Sequence, residues 1–94
     1  MEAEVLGSAG RIRVYRVKCK CGEEAYLICG RWQSIDFIEI KDVVDTLMEM
    51  ASKEREYAYR PFIRRTTRKI HLEMAEELEE LAKKVRSTAT QISK

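Results

Sequence analysis

The spacing of apolar residues changes period along this chain, from two in its first third to about 3.6 afterwards, and that change narrows the folds open to it. Residues 11–19 alternate apolar and basic side chains, so Ile12, Val14 and Arg16 share one face until Val17 and Cys19 shift the phase. The alternation predicts a strand with room for a bulge. Gly22 marks a turn, and residues 25–32 resume a β-prone run with Tyr26, Leu27 and Ile28. Together the two runs predict a β-hairpin over residues 10–32. An isolated hairpin is marginal in water, so this one must pack on helices or against another chain.

After a break at residues 30–36, Asp36-Phe-Ile-Glu39 reads as a capping box and predicts a helix over residues 36–56. Ile40, Val43, Val44, Leu47, Met48 and Ala51 give it an apolar stripe, with Lys41, Asp42, Asp45 and Glu49 turned outward. Pro61 lacks an amide donor and restricts Arg60 before it, which makes residues 57–72 a basic connector or a strand. Ile70, Met74, Leu78, Leu81, Ala82 and Val85 then fall on one helical face, predicting a second helix over residues 73–86, and the spacing by four of Ile70, Met74 and Leu78 equally fits one long helix from about Thr67 to Arg86 with no strand. Its acids near the start and Lys83, Lys84 and Arg86 at the end suit the helix dipole. Residues 87–94 form a short tail in which Thr88 is a candidate helix cap. The expected fold is therefore a single α+β domain over residues 1–94: an N-terminal β-hairpin followed by two main α-helices. A chain of 94 residues buries only about 60–65 % of its unfolded surface, so a homodimer, joined through helix faces or strand pairing, is expected to supplement the core.

Charge is distributed in blocks. Residues 60–71 carry five basic groups and no acid, residues 73–80 five acids and no base, and residues 36–56 three basic groups against seven acids. Local field rather than the net charge of +2 decides which partner is attracted. Arg64, Arg65, Arg68 and Lys69, with Thr67 between them and Tyr57, Tyr59 and Phe62 just before, can pair with phosphates or reach base edges. The pattern points to duplex DNA as partner. The alternatives are that the stretch meets another acidic partner, or that these arginines bridge to the acidic faces of the two helices, within the chain or across a dimer. In the latter case the protein is a small structural or protein-interaction module without nucleic-acid affinity.

Catalysis is not expected. His71, the one histidine, belongs to no nucleophile signature, and there is no Gly-rich phosphate loop, His-Glu-x-x-His or nucleophile elbow. Glu73, Glu76, Glu77, Glu79 and Glu80 follow helical spacing and read as a solvated face. No cofactor is implied. Cys19-x-Cys21-Gly22 with Cys29 resembles the first knuckle of a zinc ribbon, but a structural zinc needs four ligands and no second cysteine pair follows. If the hairpin turned about Glu24, Cys19 would face Cys29. The three thiols are then open to reduced packing, to a cross-strand disulfide, or to a metal completed by His71 or a second subunit.

No apolar run approaches the roughly 20 residues that cross a bilayer. Glu2 and Glu4 stand where a signal peptide would be basic. A cytoplasmic location is expected. The absence of Asn, with only Gln33 and Gln91 as amide side chains, suggests a thermophilic source.

Residues 78–92, Leu-Glu-Glu-Leu-Ala-Lys-Lys-Val-Arg-Ser-Thr-Ala-Thr-Gln-Ile, resemble the first helix, turn and second-helix start of the ribbon-helix-helix repressors. The similarity covers about a third of the chain, from Thr66 onward. It implies that residues 65–72 form a strand paired with its twin in a dimer, with Arg65, Thr67, Lys69 and His71 facing the DNA major groove. It also implies that Thr88 opens the next helix and offers amides to a phosphate. Transcription regulation is the function that resemblance carries.

Overall fold

Alternation yields more sheet than the hairpin expected over residues 10–32. In a computed structural model of the chain, which describes residues 2–18, 20–30 and 33–92, four strands form one antiparallel sheet: β1 (Glu2–Ala9), β2 (Ile12–Lys18), β3 (Glu24–Cys29) and β4 (Ser34–Phe37), side by side in that order. Two helices follow, α1 (Ile40–Ala58) and α2 (Arg65–Ile92). The α+β class holds, and the hairpin is the centre of a wider sheet.

The first strand is rich in Glu, Ala, Gly and Ser, residues with little β preference, and pairing with β2 organises it instead. Ala9 faces Ile12 across a two-residue loop. Gly10 at φ +60, followed by a residue at negative φ, gives the order of the tight II′ turn that suits twisted strands. Gly7 is needed for a different reason. A side chain there would put its Cβ 2.6 Å from Leu81 Cδ1, so glycine lets β1 lie close on α2. The irregularity expected near Val17 falls instead in β1, between Val5 and Gly7; β2 and β3 pair without interruption from Arg13↔Cys29 to Lys18↔Glu24.

Directly opposed residues point to the same side of a sheet. One side carries Ile12, Val14, Tyr26, Ile28 and Phe37, and the helices cover it with Val43, Val44, Leu47 and Ala51 from α1 and Ala75, Leu78, Leu81, Ala82 and Val85 from α2. Arg16 lies on that side too, at the edge, where its guanidinium donates to Glu4 of the neighbouring strand. The other side presents Val5, Tyr15 and Leu27 in one row and Ala3, Val17 and Ala25 in the next. Cys29 belongs to this side as well, and neither helix packs on it among the described residues.

Several helix boundaries differ from expectation. Asp36 belongs to β4, opposite Leu27. The helix begins four residues later at Ile40, with Glu39 extended at the N-cap position and no side-chain cap. Pairing with β3 outweighs the local capping signal. The second helix reaches from Arg65 to Ile92 without interruption, absorbing the second half of the 57–72 connector and the 87–94 tail as far as Ile92. Residues 65–72, which the ribbon-helix-helix resemblance makes a strand, are thus helical, and α2 passes through the stretch of residues 78–92 where that resemblance implies a turn. Thr88 lies inside α2, where its hydroxyl donates to the carbonyl of Lys84 at 3.0 Å, and it caps no new helix. Met48 and Ile70 leave the core stripes they were assigned to and are exposed.

Candidate functional site

The site is built on the part of the helical pair that outreaches the sheet. Gly10, at the β1–β2 turn, sits against Met74, and Gly7 sits against Leu81 and Lys84. The sheet therefore covers α2 from about Met74 onward and leaves its first turns bare. The nine residues of α2 before that point, at 1.5 Å each, extend about 14 Å beyond the sheet. The closing turns of α1 and the connector accompany them, and the molecule is 52 Å long but only 16 Å thick.

Two internal contacts fix this prong. Arg68 Nε donates to the carbonyl oxygen of Ala58 at 2.7 Å, supplying a cation and a donor where α1 runs out of amides. His71 Nδ1 lies 2.5 Å from a Glu54 carboxylate oxygen. The His71 ring stacks on Tyr57 at 5.7 Å between centroids, and the Arg60 guanidinium lies 4.2 Å from the Tyr57 ring centre on which it packs. Glu54, His71, Tyr57 and Arg60 thus form one chain of contacts that ends in a positioned cation.

Around it are the groups that face outward. Arg64 precedes the first turn of α2, Arg65 opens it, and Lys69 follows Arg65 on the same helical face, all three exposed. None of Arg60, Arg64, Arg65 and Lys69 forms an ion pair among the described residues; the inter-helix pairs are Arg55–Glu79 and His71–Glu54. The bridging of these arginines to acids within the chain, one of the alternatives open from the sequence, does not occur among the described residues. The first turn of α2 also lacks any acid. Cations there oppose the partial positive charge of the helix start, an unfavourable arrangement of about 0.3–1 kcal/mol per charge until an anion arrives.

The prong ends in Phe62, whose φ is +68 and whose relative exposure is 103 %. Pro61 followed by a residue at positive φ is the order of a type II turn, which normally takes Gly or Asn in that second position. A bulky residue there costs on the order of 1–2 kcal/mol, and Phe62 recovers none of it by packing. Tyr59 and Ile70 are exposed on the same prong.

Of the residues singled out from sequence, Arg64, Arg65 and Lys69 gather here as exposed cations, and Thr67 lies exposed among them. Arg68 is turned inward to Ala58. Thr88 is 21 residues further along α2, about 30 Å away, and takes no part. Arg60 and Phe62 complete the cluster. Their signal was Pro61 between a cation and an aromatic, which marks a tight exposed turn but says nothing of ring orientation. His71 is a structural contact of the prong.

Cys29 joins no group of metal-binding side chains among the described residues. Cys29 is a free thiol opposite Arg13, and Lys18 lies opposite Glu24 at the far end of the hairpin. Cys21 is exposed in that far turn, about 17 Å or more from Cys29 along β3. Cys29 is therefore paired with Arg13 and not with the position that a turn centred on Glu24 would set opposite it; Cys19 lies outside the described residues. No cluster of metal-binding side chains occurs among the described residues, and none of the helices is long and apolar enough to cross a membrane.

Comparison with family models, with curated proteins and with solved structures returned no match to this chain.

Proposed function

We propose that this protein binds nucleic acid, DNA first, by setting the tip of the α1–α2 prong against the phosphate backbone. The observation that carries the reading is the gathering of Arg60, Arg64, Arg65 and Lys69 on one protruding tip, with no ion-pair partner among the described residues, at the positive end of a long helix. Phosphates would satisfy both the side chains and the helix start, releasing counterions as they did so. The acids Glu73, Glu76, Glu77 and Glu80 along the β1 side of α2 would repel the same strand, so approach is confined to the tip. Helical phase puts Arg65 and Lys69 on one face and Thr67 off it, which favours backbone contact over the base reading a strand would perform. Transcription regulation, if the protein serves it, would then come from where it sits on DNA, and a cytoplasmic location goes with such a role.

The test is binding to duplex and to single-stranded DNA across a salt series, for the intact protein and for Arg64→Ala/Arg65→Ala/Lys69→Ala. The intact protein should bind with a steep salt dependence, and the variant should lose roughly 2–3 units of the log–log slope. Undetectable or salt-independent binding by the intact protein would sink the reading.

A second reading rests on a different observation, the uncovered apolar side of the sheet. We propose that a second copy of the chain covers it in a homodimer. Should the prong bind no nucleic acid, this face makes the protein a small structural or interaction module.

A further inference from the structure

We propose that Phe62 is a stacking platform for an unstacked nucleic-acid base, so that the prong favours strands with exposed bases over a fully paired duplex. This rests on the nucleic-acid reading of the same tip.

Phe62 is the most exposed of the large apolar side chains described, and its backbone holds a conformation that glycine or asparagine would adopt at less cost. Stability alone would therefore choose another residue here. The ring packs on nothing in the fold, so what it contributes must be made outside the chain. Its surroundings name the ligand. Arg60 stands two residues before it and Arg64 two after, and Arg60 is held on Tyr57, which is itself braced by His71 and Glu54. An aromatic face between two cations whose spacing is set by the chain is the arrangement that takes a base and its flanking phosphates together. Every base has a π face, so the preference would be for accessibility of the base and not for its identity. An anionic membrane is the other surface that attracts cations and aromatics. Burying Phe62 in a bilayer would draw the guanidinium groups of Arg60 and Arg64 toward hydrocarbon, because no apolar residues separate them from the ring except Pro61 and Ile63.

Affinity should be measured for oligothymidylate, for an abasic strand of equal length and charge, and for duplexes with and without one bulged base. The proteins to compare are the intact chain, Phe62→Gly, Phe62→Trp and the Arg64/Arg65/Lys69 alanine variant. The intact protein should prefer the base-bearing strand over the abasic one by roughly tenfold. Phe62→Gly should bind both strands equally, at the abasic affinity, while its melting temperature stays or rises. Phe62→Trp should keep the preference and report stacking by fluorescence quenching. A Phe62-dependent preference for the bulged duplex identifies an opened duplex as a source of the base, and one confined to oligothymidylate identifies a single strand; either supports the proposal. Equal binding of base-bearing and abasic strands by the intact protein overturns it, as does Phe62→Gly retaining the preference. In both cases loss of binding in the alanine variant leaves the phosphate reading standing. No binding to any strand defeats both. Phe62-dependent binding to phosphatidylserine–phosphatidylcholine vesicles that exceeds binding to every oligonucleotide also overturns the proposal.

Discussion

Adjacent residues on α2 carry the same charge to different ends. Arg68 donates to a carbonyl at the end of α1, whereas Lys69 points to solvent. Arg55 and Glu79 show a third use of charge, a direct bond between the helices. That bond holds the Glu79 carboxyl below its ordinary value of 4.5, the hydrogen bond from Arg55 being the main cause, and it raises Arg55 in turn. A carboxylate whose folded pKa is depressed contributes stability above its unfolded pKa and loses it as pH falls through the folded value. The Arg55–Glu79 contribution should therefore be intact at neutral pH and begin to fade below about pH 4.5. Both side chains are near solvent, so the effect is small and screened by salt. Melting curves of the intact protein and Glu79→Gln at several pH values should differ modestly at pH 7 and converge in acid. Parallel curves down to the lowest pH would show that the bond contributes nothing.

At the scale of elements, what could be read from the chain was what depends on local period, and what could not was set by pairing across it. The stripe from Leu78 to Val85 and the alternation from Ile12 to Arg16 each place their residues on the side the structure buries or edges. The capping box at Asp36 and Glu39 was legible and misleading, since Asp36 is claimed by the β3 ladder. The strand Glu2–Ala9 has no period of its own that marks it, and its partner across Gly10 defines it. At the site, the cations were readable from composition, but their division into inward Arg68 and outward Arg64, Arg65 and Lys69 needed the helical phase of residues 65–72. That division is measurable. Arg68→Ala removes the donor at the end of α1 and should cost about 1 kcal/mol or somewhat more, seen in denaturant melts. Lys69→Ala should stay within about 0.5 kcal/mol of the parent and could be slightly stabilising, because it relieves the helix start of a cation. Equal losses for the two would mean that the prong is not organised by the Arg68–Ala58 contact.

For the molecule as a whole, shape supports association. A compact chain of 11.0 kDa would expose about 5,600 Å², whereas this one exposes 7,164 Å². Its radius of gyration is 14.8 Å against about 12.4 Å for a compact domain of its length. The prong accounts for part of the difference, and the uncovered side of the sheet for another part. That side measures about 15 Å across the strands and 20 Å along them, with Val5, Tyr15, Val17, Ala25 and Leu27 forming its apolar part, Asp36 directly beside Leu27 on the edge strand, and Arg13 opposite Cys29 toward one end. Two copies related by a two-fold axis would stack these sides as a sandwich about 10 Å thick, burying the same residues in each. A standard interface removes about 800 Å² from each partner, less than the excess area the single chain exposes. Such a dimer would also carry two prongs, so a phosphate backbone could be held at two points and the weak affinity of one tip multiplied. Sedimentation of the intact protein should give twice the 11.0 kDa chain mass. Leu27→Glu, which sets a charge at the centre of the stacked sides, should give the single-chain mass with circular dichroism unchanged. It should also weaken DNA binding at fixed protein concentration without altering the salt slope per tip. An intact protein that stays single at high concentration, or a Leu27→Glu variant that still pairs, would leave this side of the sheet without the partner assigned to it.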